Sequence, residues 1–135
     1  YCMVLAEQHA LSEEDQTNLL ISASLHDLRR VNDNSDNEHS QRSADWFMEN
    51  VDDVSRAYEV DITQSRAEVI SALIRMHESP QRDLATRVEY RNNKLFVDLI
   101  RTADALDRYI QPKLKWWIDD NYLEIRPDIK LKKSA

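Results

Sequence analysis

Apolar residues recur along this chain every three to four positions, and short polar stretches interrupt them. That period belongs to helices that bury one face. Residues 1–10 read as the second half of a helix, with Val4 and Leu5 inward and no N-terminal cap. Ser12, followed by Glu13, Glu14 and Asp15, starts a second helix, because carboxylates favour the positive end of the helix dipole. Leu19, Leu20, Ala23 and Leu25 supply its apolar face up to His26 and Asp27. The segment NDNSDNEHS, residues 32–40, is loop chemistry, since Asn, Asp and Ser compete with the helical backbone through their side chains.

A third helix is expected over about 40–58, with Ala44, Phe47, Met48, Val51 and Val54 inward. Asp61 or Thr63 caps a fourth, in which Ala67, Val69, Ile70, Leu73 and Ile74 lead to His77. ESPQRDLATRVEY holds Pro80 and reads as a loop with at most a short helical turn. A long fifth helix over about 92–110 carries Leu95, Phe96, Leu99, Ile100, Ala103, Asp104 and Leu106, and Pro112 breaks it. LKWWIDDNYLEIRP reads as a last helix followed by a short extended piece. No repeat or linker divides the chain, so the pattern predicts one compact all-α domain, 1–135, of five to six helices.

Composition narrows the class. The 135 residues are 41% hydrophobic and 32% charged, enough apolar material for one core rather than a disordered chain. No apolar run approaches the ~20 residues of a membrane span, and the start has neither a basic region nor a small-residue cleavage site, so no signal peptide is expected. The single Cys2 cannot form an internal disulfide, which fits a reducing, cytoplasmic setting. A net charge of −7 argues against a broad nucleic-acid or membrane surface, and Lys130, Lys132 and Lys133 read as a solvated tail. Glycine is absent, which excludes Gly-rich phosphate loops and dinucleotide fingerprints. Any phosphate chemistry must then use metal ions and side chains.

Several side chains resist explanation as packing. Asp104 follows Val97 by seven and Ile100 by four, so a carboxylate extends an apolar seam. Unpartnered, it would cost several kcal/mol, roughly the burial penalty of a charge; an arginine or a cation resolves that cost. His26 and Asp27 turn inward at the end of the second helix, although a helix-terminal pair capping the next loop is the plainer reading. His77 ends another amphipathic helix, where a satisfied core histidine is common, and His39 opens a helix after an acidic loop. Imidazole nitrogen and carboxylate oxygen together suit Mn, Fe, Co, Ni or Zn.

In order, LLISASLHDLRRVND, EHSQRSADWF, LIRMHE and LIRTADALDRY resemble the HD-domain superfamily of metal-dependent phosphohydrolases, over about Leu19 to Tyr109. The resemblance matches His26 and Asp27 to the doublet that names the family, and Asp104 to its C-terminal metal-binding aspartate. It matches His39 and His77 to the histidines of a second metal. Family members carry a further histidine one helix before the doublet; His9 stands where they have a turn, so that ligand is expected just upstream of Tyr1. HDLRR stands where HDIGR-like stretches are common, and Ser40 follows His39 where glycine is common.

What the resemblance implies is an HD-like helical domain with one or two divalent metal ions (Mn, Fe, Co, Ni, Zn or Mg). Held by His26, Asp27 and Asp104, such an ion would bring the pKa of a water toward ~7. A second, held by His39 and His77 with Asp27 as the natural bridge, would align it with phosphorus. The implied reaction is hydrolysis of a phosphate mono- or diester, with a small phosphorylated substrate such as a nucleotide, and His26, Asp27 and Asp104 as its catalytic residues. Arg30, Arg42 and Arg108 are candidates to hold the phosphate, since the guanidinium fork suits it, although surface ion pairs are the plainer role for each. Competing readings are a catalytically degenerate domain serving as a nucleotide-binding or regulatory module, and a purely structural protein whose histidines and acids form core ion pairs. Diiron-type redox chemistry is a smaller alternative.

Overall fold

Two capping side chains set where the central helices begin. Ser12 accepts a hydrogen bond from the Asp15 N–H at 3.1 Å and starts α2 (Glu13–Leu25). Thr63, rather than Asp61, accepts from the Arg66 N–H at 3.4 Å and starts α5 (Gln64–Met76). Each satisfies one N–H that the helix itself cannot. The computed structural model describes residues 1–32, 36–107 and 123–134, and every regular element among them is helical. No helix among the described residues is long and apolar enough to cross a membrane.

Helix α5 is the axis of the domain, packed against α2, α3 (His39–Glu49) and α8 (Lys94–Asp107). Its Leu73 and Met76 join one apolar cluster with Leu5 of α1 (Cys2–Gln8), Leu19 of α2, and Leu99, Ile100 and Leu106 of α8. Its Ile70 and Ile74 join a second with Ile21 and Leu25 of α2, Phe47 of α3 and Val54 of α4 (Val51–Tyr58). Each fully buried Leu or Ile contributes about 1.5–3 kcal/mol of transfer free energy. The two clusters fix α2 and α5 against each other, which brings the ends of both helices together.

The structure differs from the sequence expectations in four places. The expected third helix is two, because the Asn50 side chain donates to the Trp46 carbonyl at 2.7 Å and the backbone leaves the helix there. The loop after His77 contains two short helices, α6 (Gln81–Leu84) and α7 (Val88–Asn92), pinned by buried Leu84 and Tyr90. Tyr90 donates to the buried Asp98 carboxylate at 2.8 Å, and Lys94 binds its other oxygen at 2.5 Å. Val4, Leu20, Met48 and Leu95 are exposed rather than inward, since neighbours about 100° round each helix, such as Leu5 and Leu19, take the buried places. Lys130, Lys132 and Lys133, read as a solvated tail, belong to a helix, α9 (Ile129–Ser134), which leaves Lys130 exposed and buries Leu131. Pro112, Trp116, Trp117 and most of the expected last helix lie outside the described residues.

A chain without glycine must turn its helix ends with other residues. Ala10 (φ 51°) and Glu59 (φ 54°) both occupy the left-handed region just after α1 and α4. In each case the following N–H reaches back to a carbonyl of the last turn, Leu11 to Ala6 at 3.1 Å and Val60 to Ser55 at 3.1 Å. Glycine is the usual residue at this position because it has no Cβ to clash. The Glu59 side chain is exposed and takes no part in the core. Glu59→Gly is therefore expected to stabilise the domain by about 0.5–1 kcal/mol, read as a higher urea midpoint at unchanged slope. An unchanged or lower midpoint would contradict the strain.

Candidate metal centre

The last carbonyls of a helix lack N–H partners, and here imidazoles supply them. His26, just past α2, donates from Nδ1 to the Ala23 carbonyl at 2.7 Å. His77, just past α5, does the same to Ile74 at 2.7 Å. His39, at the start of α3, donates from Nδ1 to the Asp36 carbonyl at 2.5 Å. In a neutral imidazole only one nitrogen carries a proton, so each of these bonds leaves Nε2 with a lone pair. A backbone carbonyl on the far ring nitrogen is also how metal-bound histidines are held.

The three Nε2 atoms converge on carboxylates. His39 Nε2 lies 2.9 Å from Asp27 Oδ1, 3.3 Å from Glu78 Oε2 and 3.4 Å from His77 Nε2. His77 Nε2 is 3.6 Å from Asp27 Oδ1. His26 Nε2 is 3.7 Å from Asp27 Oδ2 and 3.8 Å from Asp104 Oδ1. The His26 and His77 rings meet edge to face with centroids 4.7 Å apart. Asp27 Oδ1 is buried and receives no hydrogen bond. These are acceptors facing acceptors, an arrangement that repels unless positive charge lies between them.

A divalent cation fits that requirement. Ligand bonds of about 2.0–2.2 Å set neighbouring donors roughly 2.8–3.6 Å apart, for octahedral or tetrahedral angles. The observed spacings fall in or just beyond that range. Among the described residues, two sets of donors could hold a metal ion, one of His26, Asp27 and His77 and another of His39, His77 and Glu78.

The charges agree in direction. Burial pushes Asp27 toward protonation, but a proton on His77 or His26 facing it, together with the Arg30 guanidinium, outweighs burial and holds the carboxyl well below its usual range. Burial likewise opposes charge on His26, yet the Asp104 carboxylate, the Ala23 carbonyl and Asp27 raise its pKa above 6.5. In metal-free protein a proton on His26 takes the role of the cation.

The sequence candidates divide accordingly. His26, Asp27, His39, His77 and Asp104 are brought together from α2, α3, α5 and α8. Arg30 lies at their edge, 2.9 Å from Asp27 Oδ2 and 3.8 Å from Glu78 Oε1. Arg42 is turned to Asp36, binding both carboxylate oxygens at 2.5–2.6 Å, and donates to the Arg29 carbonyl at 3.0 Å. With the Val31 N–H, it fixes the residue whose carbonyl orients His39. Arg108 lies outside the described residues. His9 is exposed at the end of α1.

Glu78 was missed by sequence reasoning, although a signal existed. His77–Glu78 repeats the pattern of His26–Asp27, a histidine at a helix end followed directly by an acid. Beside His26 and Asp104 lies an open cleft of about 310 Å³, lined also by Leu20, Ala23, Ile100, Ala103 and Asp107.

His26, with its raised pKa, stabilises metal-free protein below pH 6.5, and that contribution is lost as pH rises through the folded value. Melting temperature without metal should therefore fall as pH rises above 6.5, and Asp104→Asn should flatten the slope. Zinc at a hundred times its Kd should add about 2.7 kcal/mol, with the gain growing as pH rises because metal and proton compete. Thermal melts that ignore both pH and zinc would contradict the centre. No family model, curated protein or solved structure matches this chain, so the reading of the centre rests on the chemistry of these side chains.

Proposed function

We propose that the domain is a metal-dependent phosphohydrolase that cleaves a phosphate mono- or diester, a nucleotide being the substrate class favoured. The observation that carries this reading is the convergence of three Nε2 lone pairs with the carboxylates of Asp27, Asp104 and Glu78. The order of residues along the chain, resembling the HD-domain superfamily, gives the reaction class. A bound divalent cation supplies an acidified water and positive charge for the phosphoryl oxygens.

The chain's own residues do the rest. His26, Asp27 and Asp104 fix one end of the cluster and His39 and His77 the other, with Asp27 between them. Asp27, held ionised, has an oxygen facing each group. Arg30 sits beside Asp27, where its planar fork can meet a phosphate oxygen. The cleft beside His26 and Asp104 is lined in part by apolar Leu20, Ala23, Ile100 and Ala103 and, among its described lining residues, has no lysine or arginine. It suits an uncharged leaving group, with the phosphate kept at the cluster. Water oxygen joins phosphorus, the ester P–O bond breaks, and the leaving alkoxide takes a proton from solvent. The lone cysteine makes a reducing cytoplasm the setting that goes with this reading.

A second reading is a degenerate domain that binds a nucleotide without turning it over: helix α1 lines the cleft with Cys2 and Met3, and its one histidine, His9, is exposed at the other end.

The two readings part in one assay. Purified protein is screened with Mn, Fe, Co, Ni, Zn and Mg against p-nitrophenyl phosphate, bis-p-nitrophenyl phosphate and a nucleotide panel. The enzyme reading expects turnover that EDTA abolishes and that His26→Ala or Asp27→Asn lowers at least about 100-fold. Nucleotide binding without turnover in every metal would favour the module.

A further inference from the structure

Just past the end of α5 stands one carboxylate, Glu78, to which the family resemblance assigns no role beside His39, His77 and Asp27. His39 Nε2, with its side chain only 1% exposed, is surrounded by three other acceptors: Asp27 Oδ1, Glu78 Oε2 and His77 Nε2. Its Nδ1 is already committed to the Asp36 carbonyl. A single proton on Nε2 can make one hydrogen bond and would leave the other two acceptors facing it. A cation at the centre satisfies all four.

We propose that Glu78 is a ligand of a second divalent-cation seat, completed by His39, His77 and Oδ1 of Asp27. This rests on the reading that the cluster binds metal, and it assigns Glu78 a role within it. The four donors come from three parts of the chain, with edges of 2.9, 3.3, 3.4 and 3.6 Å between those measured. Two imidazoles and two carboxylates suit Zn, Co, Mn or Fe better than Mg, which prefers oxygen and retained water.

Arg30 gives this seat its orientation. The guanidinium approaches the outer oxygens, Asp27 Oδ2 at 2.9 Å and Glu78 Oε1 at 3.8 Å. The inner oxygens, Asp27 Oδ1 and Glu78 Oε2, are thereby turned toward the histidines. A surface ion pair between Arg30 and Glu78 alone would not require Glu78 Oε2 to lie closer to His39 than Oε1 lies to Arg30. Arg30 is thus a positioning residue for two carboxylates as well as a candidate for the phosphate.

The test is metal stoichiometry and affinity, independent of turnover. Chelated full-chain protein is titrated with Co(II), followed by calorimetry and by visible absorption, and zinc content is measured after dialysis. Wild type is expected to bind two equivalents. Glu78→Gln and Glu78→Ala should each lose one equivalent or weaken it at least tenfold, with helical circular dichroism unchanged. Asp104→Asn should affect the other equivalent and leave this one. Two equivalents at wild-type affinity in either folded Glu78 variant would overturn the assignment. One equivalent in wild type would overturn the second seat while leaving a one-metal hydrolase standing; none would overturn both readings.

Discussion

A hydrogen bond made three times governs this structure: an imidazole Nδ1–H given to a carbonyl three residues back. It satisfies backbone groups at helix ends and, by fixing the tautomer, points three Nε2 lone pairs at one another and at carboxylates. Had any ring carried a proton on Nε2, that N–H would face Asp27 or Asp104 and form an ordinary polar contact. The cluster would then be a set of core ion pairs. As arranged, it demands added positive charge, and Asp27 Oδ1, buried without a hydrogen-bond donor, marks where the demand is sharpest.

The rest of the fold serves that arrangement. Helix α5 is buried nearly all round from Ile70 to Met76, so neither it nor α2 can rotate or slide without opening a core of Ile, Leu and Phe side chains. Both helices end at the cluster, and α8 brings Asp104 alongside. The apolar packing thus determines which atoms meet, while the polar cluster by itself would be repulsive. Part of the free energy of the core holds like partial charges together, as expected of a site prepared for a ligand rather than for stability.

Periodicity in the sequence was a good guide wherever a functional residue lies on an apolar seam. Asp104, spaced from Val97 and Ile100, and His77, spaced from Leu73, were found that way. It was a poor guide where the chain leaves a helix. Glu78 lies just past the last turn of α5, outside any seam, and Arg42 lies near His39 in sequence yet is captured by Asp36 folding back across the loop. The break at Asn50 depends on one side-chain amide competing for a carbonyl, a contest that the apolar pattern on either side does not register. Helix count and the exposure of Val4, Leu20, Met48 and Leu95 were misjudged for a related reason, since a stripe of finite width cannot bury every adjacent apolar residue.

The central claim concerns where protons sit on three rings, and side-chain nitrogen NMR of ¹⁵N-histidine-labelled protein reads that directly. In metal-free protein, wherever these rings are neutral, the account predicts His26, His39 and His77 as Nδ1–H tautomers. On adding zinc, Nε2 alone should shift on these rings, while His9 should not respond. Nε2–H tautomers on these rings, or spectra indifferent to zinc, would contradict it.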